Sequence, residues 1–212
     1  MTTKTRKQRY NEIISATNQD LNACVIELAE SYLNDFPDSQ GSWDMYSLAL
    51  HRIDRFKDAK KALNKAIELI NETNKKERLG WLYCRMGHIY EDSGKFQTAI
   101  EWFEKAHDAN PTEATFLIYK GVNLLRLEKF DVAAEAFQKA TKCKEGHIDE
   151  AFYNLGVAHL IQKNYTEAKL CFQKALEIDP KYKEAKQQLK DMKKVLEILE
   201  NKLILHRWSS PI

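Results

Sequence analysis

Glycine, proline and cysteine are all scarce in this 212-residue chain, with seven, four and four copies respectively. So few glycines and prolines argue against long flexible linkers. The four cysteines are scattered without tight spacing, which indicates reduced thiols rather than a disulfide framework. No segment approaches the roughly 18–20 apolar residues of a membrane span, and no apolar run follows the basic N-terminus. These absences predict a cytoplasmic protein without a membrane anchor.

The sequence also lacks the short motifs of phosphate, metal and nucleophilic chemistry. It contains no GxxxxGK[ST], GxGxxG, HExxH, CxxC or GxSxG pattern. Cys143 and His147 are four residues apart, but a pair falls short of the three or four ligands of a zinc site. His88 and His159 have no obvious carboxylate partner in the sequence, so neither is expected to act as a general base. We therefore expect no enzyme activity, no cofactor and no metal.

The net charge is only +2, and the excess of positive over negative charge lies at the two ends of the chain. Lys4, Arg6, Lys7 and Arg9 lie within the first nine residues, and a second basic excess follows residue 180. Nucleic-acid binding requires a basic stripe along one face of the protein. This distribution does not predict such a stripe, and no nucleic-acid partner is expected.

What the chain does have is a repeated pattern of small and bulky residues. The stretch 80–113 holds a first apolar run, a turn at Asp92-Ser93-Gly94 and a second run closed by Pro111. This order predicts two short amphipathic helices joined by a tight turn.

The same positions return at intervals of 40, 34 and 35 residues. The first helix of each copy carries a small residue, and the second carries a small residue followed by a bulky one. These are Ser47, Gly87, Gly121 and Gly156; Ala59, Ala99, Ala133 and Ala168; and Leu63, Phe103, Phe137 and Phe172. Glycine inside a helix costs about 1 kcal/mol relative to alanine, so small residues in register indicate closely packed helices.

A period of this kind resembles the tetratricopeptide repeat (TPR) family. The resemblance covers four copies, which we number repeats 1 to 4: residues 40–73, 80–113, 114–147 and 149–182. The signature tryptophan of the motif survives only as Trp43, and Lys120 departs from the usual leucine of its repeat. The resemblance implies an all-α fold, a right-handed α-solenoid of helix-turn-helix repeats.

The remaining segments are assigned around these repeats. We expect a disordered basic tip over 1–9, a divergent N-terminal helical pair over 10–39 with its first helix starting at Tyr10, and a tail over 206–212. An insertion separates repeats 1 and 2, and an extended helix is favoured there over a longer loop. A capping or oligomerisation helix is expected over 183–205.

In TPR arrays the first helices line a concave groove, so the resemblance implies a non-enzymatic scaffold or adaptor that binds a peptide or helix. The groove residues predicted for this chain are Trp81, Arg85, His88, Tyr119, Arg126, Tyr153 and Asn154. Some members of the family clamp the EEVD terminus of heat-shock chaperones with lysine, arginine and asparagine. The matching positions here hold Asp44, Arg85 and Tyr119, among others, and do not rebuild that clamp.

An alternative function is self-assembly. The apolar residues of the C-terminal segment repeat at spacings of three and four, which is typical of a coiled-coil seam. A homodimer formed through this segment would use Leu196, Leu199 and Leu203. Folding of the same segment onto the chain's own fourth repeat is the competing interpretation.

Overall fold

The computed structural model describes residues 4–70 and 75–194 of the chain, and most of these residues are helical. The named helices are α1 (Arg6–Asn18), α2 (Asn22–Asp35), α3 (Gln40–Arg52), α4 (Phe56–Glu68), α5 (Lys75–Asp92), α6 (Phe96–Ala109), α7 (Thr115–Arg126), α8 (Phe130–Ala140), α9 (Ile148–Ile161) and α10 (Tyr165–Ile178). A further helix runs over 183–194. The predicted all-α fold class of TPR helix-turn-helix repeats is confirmed. Within the described ranges, every helix is too short or too polar to cross a bilayer.

The chain divides into two compact units, an N-terminal unit (Met1–Pro111) and a C-terminal unit (Thr112–Ile212). In the N-terminal unit α1 pairs with α2, α3 with α4, and α5 with α6. In the C-terminal unit α7 pairs with α8 and α9 with α10. Each pair is an antiparallel hairpin whose two helices bury their apolar faces against each other.

The contact between the two helices of a hairpin depends on a glycine facing an aromatic ring. A Cβ atom on Gly87 would lie 2.6 Å from the ring of Phe103, and one on Gly156 would lie 2.7 Å from the ring of Phe172. Gly121 faces Phe137 in the same way. All three rings are fully buried. The missing side chain on the first helix is therefore the space that the ring on the second helix fills.

Each hairpin turn holds one residue in the left-handed region of backbone space. These residues are Asp20, Asp54, Gly94, Glu128 and Lys163, with φ angles of 55°, 60°, 73°, 57° and 61°. The last four each follow the small residue of their first helix by seven positions, and Asp20 follows Ile13 by the same seven. The α1–α2 pair is thus a hairpin in the same register as the four repeats.

In the α1–α2 hairpin the bulky residue lies on the first helix and the small residue on the second, the reverse of the four repeats. Ile13 stands where the other first helices carry serine or glycine, and Ala29 stands where the second helices carry leucine or phenylalanine. Both are 0% exposed within one apolar cluster. The summed volume of the two facing residues is similar to that of the glycine–phenylalanine pairs, although the large and small positions are reversed. A search for a small residue on the first helix therefore does not find this hairpin.

The first helix starts earlier than predicted. α1 begins at Arg6 rather than Tyr10, so a disordered tip over 1–9 is wrong for residues 6–9. Thr5 and Gln8 form a reciprocal capping box, with the Gln8 amide N–H donating to the Thr5 hydroxyl over 3.3 Å. Arg6 lies 4.6 Å above the Phe36 ring, and Arg9 forms a 2.6 Å ion pair with Asp35. The basic residues thus hold α1 against α2.

The last described helix covers the end of the α9–α10 hairpin. Ala185 and Met192 are buried against it, and the ring of Tyr182 lies 5.1 Å from that of Tyr153. This contact is the one that a capping helix makes. The proposed oligomerisation residues Leu196, Leu199 and Leu203 lie outside the described residues, and their role stays a prediction.

We predict that Gly156→Ala destabilises the protein by overpacking the Phe172 ring. Overpacking of a core costs about 1–3 kcal/mol, partly offset by the roughly 1 kcal/mol by which alanine favours a helix over glycine. Urea unfolding of Gly156→Ala, Phe172→Leu and the double variant would measure this coupling. The shorter leucine should relieve the clash, so the double variant should be more stable than the sum of the single losses predicts. Strictly additive losses would show that the ring does not need the glycine.

Candidate functional site

The first helices of repeats 1 and 2 enclose a cleft of 140 Å³ in the N-terminal unit. It lies between α3 and the N-terminal half of α5. The lining residues are Gln40, Asp44, Glu77, Arg78, Trp81, Leu82 and Arg85. Two of the predicted groove residues, Trp81 and Arg85, are thereby brought together, one helical turn apart on α5.

Trp81 supplies the apolar surface of this cleft. Its side chain is 43% exposed, which is unusual for the largest apolar residue type. Leu82 beside it is buried and anchors α5 in the core. An exposed indole next to charged groups is the composition of an interface anchor, because its ring gives a large contact area with few rotatable bonds.

Asp44 and Arg85 join α3 to α5 across the cleft. The Arg85 Nε and Asp44 Oδ1 atoms are 2.9 Å apart, and both side chains are 27% exposed. Burial raises the pKa of the Asp44 carboxyl, and the positive charges of Arg85 and Arg78 oppose that shift. Arg85 is therefore already engaged, and a ligand that takes up its guanidinium must compete with Asp44.

Further along the same helices, histidines pair with carboxylates. His88 Nδ1 lies 3.0 Å from Glu91 Oε2, and the His88 ring meets the Phe103 ring edge-on at 5.1 Å. His51 Nε2 lies 2.8 Å from Asp92 Oδ2, which ties α3 to α5 a second time. The expectation that His88 has no carboxylate partner is wrong, since Glu91 follows it by three residues and therefore shares its helix face.

The C-terminal unit carries the other predicted groove residues. Arg126 is exposed at the end of α7, and Tyr119 is half-buried. Asn154 donates a 3.1 Å hydrogen bond to the Glu150 carbonyl oxygen. The Tyr153 ring packs between Phe172, at 5.6 Å, and Tyr182, at 5.1 Å. Tyr153 thus has a packing role, while the binding roles of these four residues stay predictions.

Three polar residues of the cleft were missed by sequence reasoning, besides the buried Leu82. Glu77 and Arg78 lie in the insertion between repeats 1 and 2, which extends α5 at its N-terminus, as favoured above. Gln40 begins α3. The repeat pattern assigns no role to inserted residues. Glu77 and Arg78 nevertheless lie one turn before Trp81 on a continuous helix, and this spacing alone would have placed them on the same face as Trp81.

The polar groups of the site do not gather as a metal centre would. Among residues 4–70 and 75–194, no group of three or more His, Cys, Asp or Glu side chains could hold a metal ion. Asp44 at the cleft instead faces Arg85 and Arg78. This arrangement can hold a peptide by charge and apolar contact.

We predict that Arg85→Gln raises the pKa of Asp44 further, because burial remains while one opposing charge is lost. Carbon-detected NMR titration of the carboxyl would measure it, with Arg52→Gln as control, since Arg52 pairs with Asp20 instead. Because the pKa of Asp44 is higher in the folded than in the unfolded protein, protonation of Asp44 favours the folded state. This contribution to the free energy of unfolding is present at low pH and is lost as pH rises through the folded pKa. An unchanged Asp44 titration in Arg85→Gln would contradict the ion pair.

Family models described as tetratricopeptide repeat match residues 42–112, 84–148 and 149–182, which together span all four repeats. RNA polymerase II-associated protein 3 from Xenopus laevis is 33% identical over 110 residues, which are 52% of this chain and 16% of that protein. Tetratricopeptide repeat protein 12 from Mus musculus is 30% identical over 90 residues, or 42% of this chain and 13% of that protein. The matched part therefore spans less than a fifth of either relative.

Solved structures share the fold. The crystal structure of YrrB, a TPR protein with an unusual peptide-binding site, superposes with a TM-score of 0.62 at 18% identity, covering 86% of this chain and 91% of that one. The first TPR of Spaghetti bound to the HSP90 peptide SRMEEVD superposes with a TM-score of 0.52 at 25% identity, covering 57% and 95%. With the repeats, the buried Gly–Phe pairs and the matching family models in agreement, the chain belongs to the tetratricopeptide repeat family.

Proposed function

We propose that this protein is a non-enzymatic cytoplasmic adaptor that binds a peptide or helix of a partner protein on the cleft between α3 and α5. The observation that carries the proposal is the exposed Trp81 indole beside Arg78, Arg85 and Asp44. Tryptophan and arginine are the residue types that most often dominate binding energy at protein interfaces. In the C-terminal unit, Tyr119, Arg126 and Asn154 would contact the partner, with Tyr153 supporting α9 from beneath.

The relatives support a peptide as the class of ligand. The Spaghetti domain binds an HSP90 peptide, and it superposes on more than half of this chain. That similarity does not extend to the chemistry of a carboxylate clamp. When the clamp is compared from repeat 1, Asp44 places a negative charge where the clamp carries a lysine, and it forms an ion pair with Arg85 at 2.9 Å. When it is compared from repeat 2, Cys84 stands at that position. A ligand with both a basic and an acidic group flanking an apolar residue fits the paired charges of the cleft better than an EEVD terminus does.

We predict that Trp81→Ala abolishes capture of the partner from a native cell extract, because truncation of an interface tryptophan commonly costs about 2 kcal/mol or more. Ile53→Ala is the matched control: Ile53 has the same 43% exposure in the same unit but lies in the α3–α4 turn, outside the cleft. Proteins retained by wild type and Ile53→Ala, and lost from Trp81→Ala, would identify the partner. Equal retention by all three proteins would contradict the cleft as the binding site.

We predict that the peptide SRMEEVD, which binds the Spaghetti domain, shows no saturable binding here in calorimetry. Asp44 repels the ligand's carboxylates at short range, and like charges brought together cost several kcal/mol. Asp44→Lys would remove this repulsion and should gain measurable affinity for the peptide. Tight binding of SRMEEVD to the wild-type protein would overturn the argument from Asp44.

A further inference from the structure

A second and larger cleft lies elsewhere on the N-terminal unit, in the hairpin α3–α4. Its volume is 510 Å³, which is within the range of small-ligand sites. The lining residues are Trp43, Tyr46, Arg55, Asp58, Lys61, Ala62, Asn64, Lys65 and Glu68. None of them belongs to the cleft around Trp81, so this surface is independent of the proposed function.

The next hairpin shows what fills the corresponding position. Forty residues further along the chain, Trp43, Ala62 and Lys65 correspond to Tyr83, Trp102 and Lys105. In the α5–α6 hairpin the Trp102 ring lies 5.5 Å from the Tyr83 ring, and Lys105 Nζ lies 4.1 Å above the Trp102 ring. The indole thus contacts a tilted aromatic ring of the first helix and a cation of its own helix, and the Tyr90 ring lies parallel to it at 6.4 Å.

The α3–α4 hairpin has the counterparts of Tyr83 and Lys105 but carries no indole beside them, and Leu50 stands where the next hairpin has Tyr90. Ala62 replaces the tryptophan, while Trp43 and Lys65 both line the open cleft. Hydrogen bonds fix the two aromatic side chains of the cleft. Trp43 Nε1 donates a 2.9 Å hydrogen bond to the Pro37 carbonyl oxygen, and the Tyr46 hydroxyl donates a 2.6 Å hydrogen bond to Glu30. The Trp43 and Tyr46 rings meet edge-on at 6.1 Å. The site is therefore built before a ligand arrives.

The rim adds a charge preference. Arg55 pairs with Asp58 and Lys65 pairs with Glu68, each at 2.7 Å. Lys61 completes the rim, so the charged side chains that line the cleft number three positive against two negative. A ligand that brings a carboxylate beside its ring would complement this excess.

We infer that the cleft over Trp43 binds an aromatic side chain of indole size that a partner protein presents beside an acidic residue. The bound ring would take the place that Trp102 occupies in the neighbouring hairpin, tilted against the Trp43 ring and in contact with the Lys65 ammonium group. The carboxylate beside the ring would pair with Lys61.

The test is an NMR titration of the isotopically labelled full chain with the dipeptide amide N-acetyl-Glu-Trp-NH₂. The readout is the indole N–H signal of Trp43, whose hydrogen bond to Pro37 fixes its environment. A saturable shift of this signal is expected for wild type, together with a loss of about tenfold in affinity for Ala62→Trp, where the introduced indole fills the cleft. N-acetyl-Glu-Ala-NH₂ should cause no shift, and N-acetyl-Lys-Trp-NH₂ should bind more weakly.

A second pair of variants keeps the test decisive if Ala62→Trp fails to fold. Lys65→Ala should weaken the dipeptide, while Lys57→Ala, an exposed cation on the same helix outside the cleft, should not. The inference is overturned by equal affinities of wild type, Ala62→Trp and Lys65→Ala. It is equally overturned by a shift confined to Trp81, by a response to the alanine dipeptide, or by the absence of any saturable shift.

Discussion

The structure depends on how closely the two helices of each hairpin approach. Where the first helix has a glycine, a phenylalanine ring of the second helix occupies the space at less than normal contact distance for any added Cβ atom. A single hairpin of this kind buries too little apolar surface to be stable alone, so neighbouring hairpins must cover one another within each unit. The glycines therefore set the helix spacing on which the packing of every later layer relies.

The same spacing explains what sequence reasoning could and could not predict. The recurrence of Gly87, Gly121 and Gly156 with their phenylalanines predicted the repeats, because interior packing restricts residue volume strongly. The N-terminal hairpin was assigned only as divergent, because Ile13 and Ala29 conserve summed volume rather than residue type. Arg78 of the α3–α5 cleft was missed for a related reason: it lies in an insertion, to which a periodic pattern assigns no place. Surface chemistry between repeats follows from three-dimensional neighbours, not from the period.

Charged side chains, as well as apolar packing, connect the first helices of the N-terminal unit. Asp44 with Arg85, and His51 with Asp92, connect α3 to α5 at two levels. Partly exposed pairs of this kind add little to stability, since solvent screens them and ordering the side chains is costly. Their larger effect is on selectivity, because a ligand must offer replacements for the partners it displaces. The exposed Trp81 indole adds apolar contact area beside these charged groups.

The reversed pair in the α1–α2 hairpin has a consequence for assembly. Proteins built from similar hairpins risk exchanging equivalent helices between copies or between neighbouring positions. A helix carrying Ile13 cannot face a phenylalanine without collision, and a helix carrying Ala29 would leave a cavity opposite glycine. Each helix of the first hairpin therefore packs well only against the other. This restriction fixes the pairing at the N-terminal end and, with it, the register in which the following hairpins pair.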